Sequence, residues 1–153
     1  MYQRILVPID GSETSDRALH EAIKLADGKA QLHLVHVVEE VYPLDAEGYA
    51  FIDYAALQEA ARHSGERLLA KAKSAAKQAG ATPDAVLLET AGERVASVID
   101  REAVKWSADL IVLGTHGRSG FTRLLFGSVA EGVVRSATVP VLLVRSAEQQ
   151  SPA

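Results

Sequence analysis

The sequence predicts an α/β domain built on one open, parallel, five-stranded sheet with helices on both faces. Three observations predict it. Short continuous runs of Val, Ile and Leu recur along the chain, as strands buried on both faces require. The stretches between them place apolar residues at helical spacing, several closing at a glycine. The two kinds of segment alternate, which calls for right-handed crossovers and hence parallel strands.

At 153 residues the chain is long enough for one domain and short for two of ordinary size. Arg4, Ile5, Leu6, Val7, Pro8 and Ile9 read as the first strand. Asp10, Gly11, Ser12 and Glu13 break it and offer helix caps. Leu19, Ala22, Ile23 and Ala26 then fall on one helical face that ends near Gly28. A second strand runs over residues 31–38, and a polar connection with Pro43 and Gly48 over residues 39–50. The second helix covers residues 52–78, with Leu57, Leu68, Leu69, Ala72 and Ala76 as its stripe and Gly80 as its stop. Residues 85–89 form the third strand. Thr90 to Glu93 fits a capping box, and Val95, Val98, Ile99 and Trp106 make the next buried stripe. The fourth strand spans residues 110–113, the last helix residues 129–136 and the fifth strand residues 139–144. The domain is expected to occupy residues 1–146, with a polar tail over 147–153.

Composition narrows the function classes. There is no cysteine, so disulfides, thiolate metal sites and cysteine nucleophiles are excluded. A net charge of −4 argues against bulk nucleic-acid or anionic-membrane binding, which needs a basic face. The amino-terminal apolar run is too short for a signal peptide or a membrane span, so no membrane insertion and a cytoplasmic location are expected. His33 and His36 are three apart on a strand and point to opposite faces, so they cannot chelate one metal together. His20 and His63 read as surface residues of helices.

Ligands of open parallel sheets bind at the carboxyl ends of the strands, where the winding reverses. That rule brings Asp10, the residues after Val37 and the loop from Gly114 onward to one rim. The loop holds Gly114, Gly117, Gly120 and Gly127 and opens a helix near Ser128. Glycines let backbone N–H groups approach an anion, and a helix start presents unpaired N–H groups to it. Arg118 and Arg123 can add charge-assisted contacts, and the Ser128 hydroxyl can meet a phosphate or a phosphate-bound magnesium ion. A competing reading stands beside this one: Ser128, Val129, Ala130 and Glu131 also fit a capping box, in which Ser128 merely caps its helix. Neither a G-x-x-x-x-G-K-[ST] loop nor a G-x-G-x-x-G fingerprint is present.

The spacing Gly114-x2-Gly117-x9-Gly127-Ser128 resembles the ATP-binding signature of the universal stress protein family. Residues 5–12, Leu34 to Val37 and Pro140 to Val144 resemble that family's first, second and last strands, so the likeness covers residues 2–145. The resemblance implies a Rossmann-like sheet of the adenine nucleotide alpha hydrolase type, in strand order 3-2-1-4-5. It implies that Pro8 and Asp10 border ribose and base, and that the Val37 backbone reads the adenine edge. Gly114 would approach the ribose, while Gly117, Gly127, Ser128 and the Val129 N–H hold phosphates. Arg118 and His116 lie in the variable part of the motif. ATP, with or without magnesium, is the implied cofactor. A two-fold homodimer through the edge strand Val141–Val144 and an unidentified regulated protein are the implied partners; a strand capped by the tail is the alternative to the dimer.

No base or second metal-binding carboxylate is evident besides Asp10, so any ATP turnover is expected to be slow. Three functional readings remain open from sequence: a nucleotide-dependent regulatory module, a slow magnesium-dependent ATPase or phosphoryl-transfer enzyme, and a structural dimer with a vestigial site.

Overall fold

The order of elements in the computed structural model, which describes residues 1–42, 52–116 and 126–147, is a strict alternation. β1 (Arg4–Pro8), α1 (Glu13–Ala26), β2 (Gln31–Val38), α2 (Tyr54–Gln78) and β3 (Thr82–Glu89) come first. They are followed by α3 (Val95–Trp106), β4 (Leu110–Gly114), α4 (Ser128–Ser136) and β5 (Val141–Val144). All pairings are parallel, in the order β3-β2-β1-β4-β5. The chain moves outward from β1 to β3, crosses back, and moves outward again from β4 to β5. The reversal therefore lies between β1 and β4.

Side-chain alternation along the strands divides the core in two. Ile5, Val7, Leu32, Leu34, Leu110 and Val112 pack under α1 and α2. Leu6, Val35, Ile111 and Leu113 pack under α3 and α4. His33 and His36 follow the same alternation. His33 stacks on Trp106 of α3, with ring centroids 4.7 Å apart, and its Nε2 lies 2.9 Å from Glu102 Oε1. Its Nδ1 meets Asp84. His36 lies on the opposite face, against Gly65 of α2. His20 and His63 are exposed.

Several boundaries, one stripe residue and one cap differ from the sequence expectation. β3 begins at Thr82 rather than at residue 85, because Pro83 and Asp84 are tolerated in an edge strand. Leu57 is 47% exposed and lies off the core stripe, which on α2 begins at Gly65 and continues through Leu69, Ala72 and Ala76. The capping box at Thr90 does not form. Thr90 C=O instead accepts from Glu93 N–H at 2.8 Å in a turn with left-handed Ala91 and Gly92, and α3 is capped at Arg94 without a side-chain bond. β5 is shortened to Val141–Val144.

Candidate functional site

The carboxyl end of β1 is held by the first turn of α1. Ser12 caps that helix, its Oγ accepting from Ser15 N–H at 3.2 Å. The Ser12 N–H donates to Asp10 Oδ1 at 2.8 Å, a turn closed by the aspartate side chain. Asp10 N–H donates to Ser15 Oγ at 3.1 Å, and the Ser15 hydroxyl reaches Pro8 C=O at 3.5 Å. Asp10 is thus fixed in place from both sides, half-buried at the rim.

Pro8 has a specific consequence. Lacking an N–H, it cannot continue the ladder toward β4, and the β1–β4 pairing stops at Leu6 and Ile111. The two strands part there, at the switch point where a crevice is expected.

On the other side of β1, Ile9 N–H donates to Val35 C=O at 2.7 Å. Residues two apart on a strand direct their backbone groups to the same neighbour. The N–H and C=O of Val37 therefore face the space beyond the end of β1. Among the described residues they have no backbone partner there.

The end of β4 is tied into the same rim. Thr115 is fully buried, its N–H donating to Val144 C=O at 2.9 Å and its C=O accepting from Gly127 N–H at 2.6 Å. Thr14 and Ser12 hydroxyls both donate to His116 C=O, the latter at 3.4 Å. Gly114 abuts α1: a methyl group there would lie 2.7 Å from both the Cβ and the carbonyl carbon of Thr14. Close packing of helix on strand accounts for this glycine without a ligand.

α4 begins at Ser128 with Gly127 as its N-cap, and among the described residues no side chain caps it. The capping-box reading of Ser128 is thereby corrected, because the serine lies one position inside the helix. Ser128 is exposed, and among the described residues the first-turn N–H groups of Ser128 and Val129 have no acceptor. The Gly127 N–H, by contrast, is engaged by Thr115. Gly127 has φ −73°, a backbone any residue adopts. Gly117, Arg118, Gly120 and Arg123, also named from sequence, lie outside the described residues.

Glu89, at the carboxyl end of β3, is paired with Arg62 of α2, Nη2 to Oε2 being 3.1 Å. The hydrogen bond from that guanidinium holds its carboxyl below the ordinary glutamate range. A separate groove of about 620 Å³ runs between α1 and α2, lined by Leu19, Ile23, Leu68 and Ala72, and reaches the rim at Ile9 and Gly11.

Pro8, Asp10, Val37, Gly114, Gly127, Ser128 and Val129 are all at strand ends or the α4 start on the carboxyl side of the sheet. Sequence reasoning missed Thr14 and Ser15, both nearly fully buried. Their signal was present: they precede Ala18 and Leu19 by four residues, so polar groups occupy the buried face of α1.

A model of the universal stress protein family matches residues 1–145. A universal stress protein of Methanocaldococcus jannaschii is 36% identical over 98% of this chain and 86% of its own length. A solved universal stress protein family structure from Burkholderia pseudomallei is 37% identical, with TM-score 0.77, covering 95% of this chain and 97% of that one. The universal stress protein of Archaeoglobus fulgidus in complex with dAMP is 26% identical, with TM-score 0.65, over 94% of this chain and 98% of that one.

Proposed function

This chain belongs to the universal stress protein family, and on that premise we propose that it is an ATP-binding regulatory module whose occupancy, with little or slow hydrolysis, carries its signal. The observation that carries this reading is that the N–H and C=O of Val37 and the first-turn N–H groups of α4, all without a partner among the described residues, share one rim. A nucleotide needs both: a polar edge for the base and N–H groups for phosphate. Asp10 and Pro8 lie between them in the crevice beside β1, where a ribose would sit. In this reading Ser128 and the Val129 N–H hold phosphate together with Gly117 and Arg118. The dAMP-bound relative supports an adenine nucleotide as the ligand class.

Slow turnover is expected because Asp10 Oδ1 is already occupied by Ser12 N–H, which suits a positioning role better than that of a base. When bound, the nucleotide supplies a transferable phosphoryl group and a negative charge that magnesium can share. Among the described residues no helix is long and apolar enough to cross a membrane. The outer edge of β5 carries Leu142 at 38% exposure, and an unpaired apolar edge strand invites pairing. We assign to it the two-fold contact of a homodimer through Val141–Val144.

Calorimetry with ATP, AMP and GTP tests the binding reading, and single-turnover assays with magnesium test hydrolysis. Binding of ATP with negligible phosphate release is the expected result. No heat at millimolar ATP would overturn the module. Rapid release that vanishes in Asp10→Ala would replace it with an enzyme. Sedimentation at micromolar concentration should give a dimer, and a monomer would remove the edge-strand contact.

A further inference from the structure

We propose that His36 is a positioning residue that keeps the Val37 backbone open for a base edge, an inference that rests on the nucleotide reading above. The β1–β2 ladder would ordinarily take one more rung. Ile9 N–H donates to Val35 C=O at 2.7 Å, so the next bond in a parallel ladder runs from Val37 N–H to Ile9 C=O. That carbonyl accepts from His36 Nδ1 instead, at 2.6 Å. A carbonyl oxygen only accepts, so Nδ1 carries the proton and the tautomer is set by this bond.

The ring is placed by its surroundings. Gly65 of α2 lies directly over it: a methyl group at Gly65 would be 2.5 Å from His36 Cδ2 and 2.7 Å from Leu87 Cδ1. The helix can come this close only because residue 65 has no side chain. Gly65, one of the buried residues of α2, thus presses the imidazole toward the end of β1. The side chain of one residue occupies the acceptor that the next residue's N–H would have taken.

The outcome is a donor and an acceptor on the two backbone polar groups of Val37, both aimed into the gap beyond β1. That pair matches an adenine edge, where a ring-nitrogen acceptor lies beside an amino donor. It opposes the edge of guanine, which presents a ring N–H beside a carbonyl. His36 would therefore govern base affinity and base choice without touching the base.

The test compares His36→Leu with His36→Asn, two side chains of similar shape, of which only asparagine has an N–H near the position of Nδ1. Amide hydrogen exchange by NMR reads the rung directly. In the parent protein and His36→Asn, the Val37 amide should exchange at least about tenfold faster than that of Val35. In His36→Leu it should become as protected as Val35. Calorimetry should show ATP binding about tenfold weaker in His36→Leu, with ATP-over-GTP preference reduced by a similar factor, and near-parent values in His36→Asn. Inorganic triphosphate should bind all three alike. A Val37 amide protected in the parent, or unchanged by His36→Leu, would overturn the proposal, as would equal ATP affinity in the two variants. Exchange as expected with no ATP bound by the parent would instead overturn the nucleotide reading and leave the ladder assignment standing.

Discussion

Replacing Gly114 with alanine separates two reasons for a glycine at the end of β4. Its φ is not in the left-handed region, so alanine can adopt the backbone and only space opposes it. The added methyl would lie 2.7 Å from Thr14 Cβ and Thr14 carbonyl carbon, and close to Thr14 Oγ1. Neither carbon is the free end of a flexible chain, so the first turn of α1 must move. Overpacking of this kind costs about 1–3 kcal/mol. The movement also strains the Thr14 and Ser12 bonds to His116 C=O, each worth about 0.5–1.5 kcal/mol. Against this, a Gly→Ala change at a compatible backbone gains about 0.4–1 kcal/mol through the unfolded chain. The net expectation is a loss of about 2–3 kcal/mol without any nucleotide present. Urea denaturation of the apo protein measures it, as a lower midpoint with unchanged slope. Thr14→Ala in the same chain should recover only part of the loss, since the Cβ and carbonyl carbon remain. A Gly114→Ala protein as stable as the parent, or more stable, would refute the packing account. It would return this glycine to the role of admitting a ribose.

Ser128→Ala should leave the denaturation midpoint within about 0.5 kcal/mol of the parent while weakening ATP binding several-fold. A loss of about 1 kcal/mol would restore the helix-cap role. Gly65→Ala gains about 1 kcal/mol of helix propensity but displaces the His36 ring. It should therefore copy the His36→Leu exchange pattern at Val37, and an unaltered pattern would refute the contact. Burial raises the carboxyl of Asp100 above the ordinary aspartate value, opposed by the hydroxyl of Ser136. The folded state thus holds that proton more tightly than the unfolded state. The resulting stability is present below the unfolded value and lost as pH rises through the folded one. Asp100→Asn should accordingly be the more stable protein at pH 7 and show a flatter acid limb in denaturation series. A less stable variant at neutral pH would contradict the sign.

What sequence could deliver followed from periodicity. The apolar runs of β1 and β4 name their own residues, because both faces are buried at the centre of each strand. An edge strand carries weaker constraints. β3 accommodates Pro83 and Asp84, which lie before the strand start expected at residue 85, and Asp84 meets the ring of His33. Leu57 was placed on a stripe because helical spacing gives the face but not where the helix leaves the sheet. Thr90 and Ser128 each had the letters of a capping box. In both cases the neighbouring backbone had another use: Thr90 Oγ1 accepts from Glu40 N–H at 3.2 Å, and Gly127 already provides the start of α4. Composition of four letters cannot report which acceptor wins.

The rim residues show the same limit more sharply. Asp10, Val37 and Gly114 were legible as strand-end positions, and all three are where the topology required them. Their local chemistry was not legible, because it is settled by residues on other elements. Ser15 and Thr14 of α1 set the ends of β1 and β4, and Pro8 parts β1 from β4 by lacking one N–H. His36 and Val37 are the strongest case. As letters they are a strand histidine and a strand valine. Only the structure shows that Ile9 C=O accepts from the His36 ring while no rung from Val37 N–H forms among the described residues, the arrangement from which the histidine is proposed as a spacer and the valine as an open edge. A binding rim on a parallel sheet is thus made as much by which ladder bonds are withheld as by which side chains arrive. Proline withholds one by lacking a donor, and histidine withholds another by taking the acceptor.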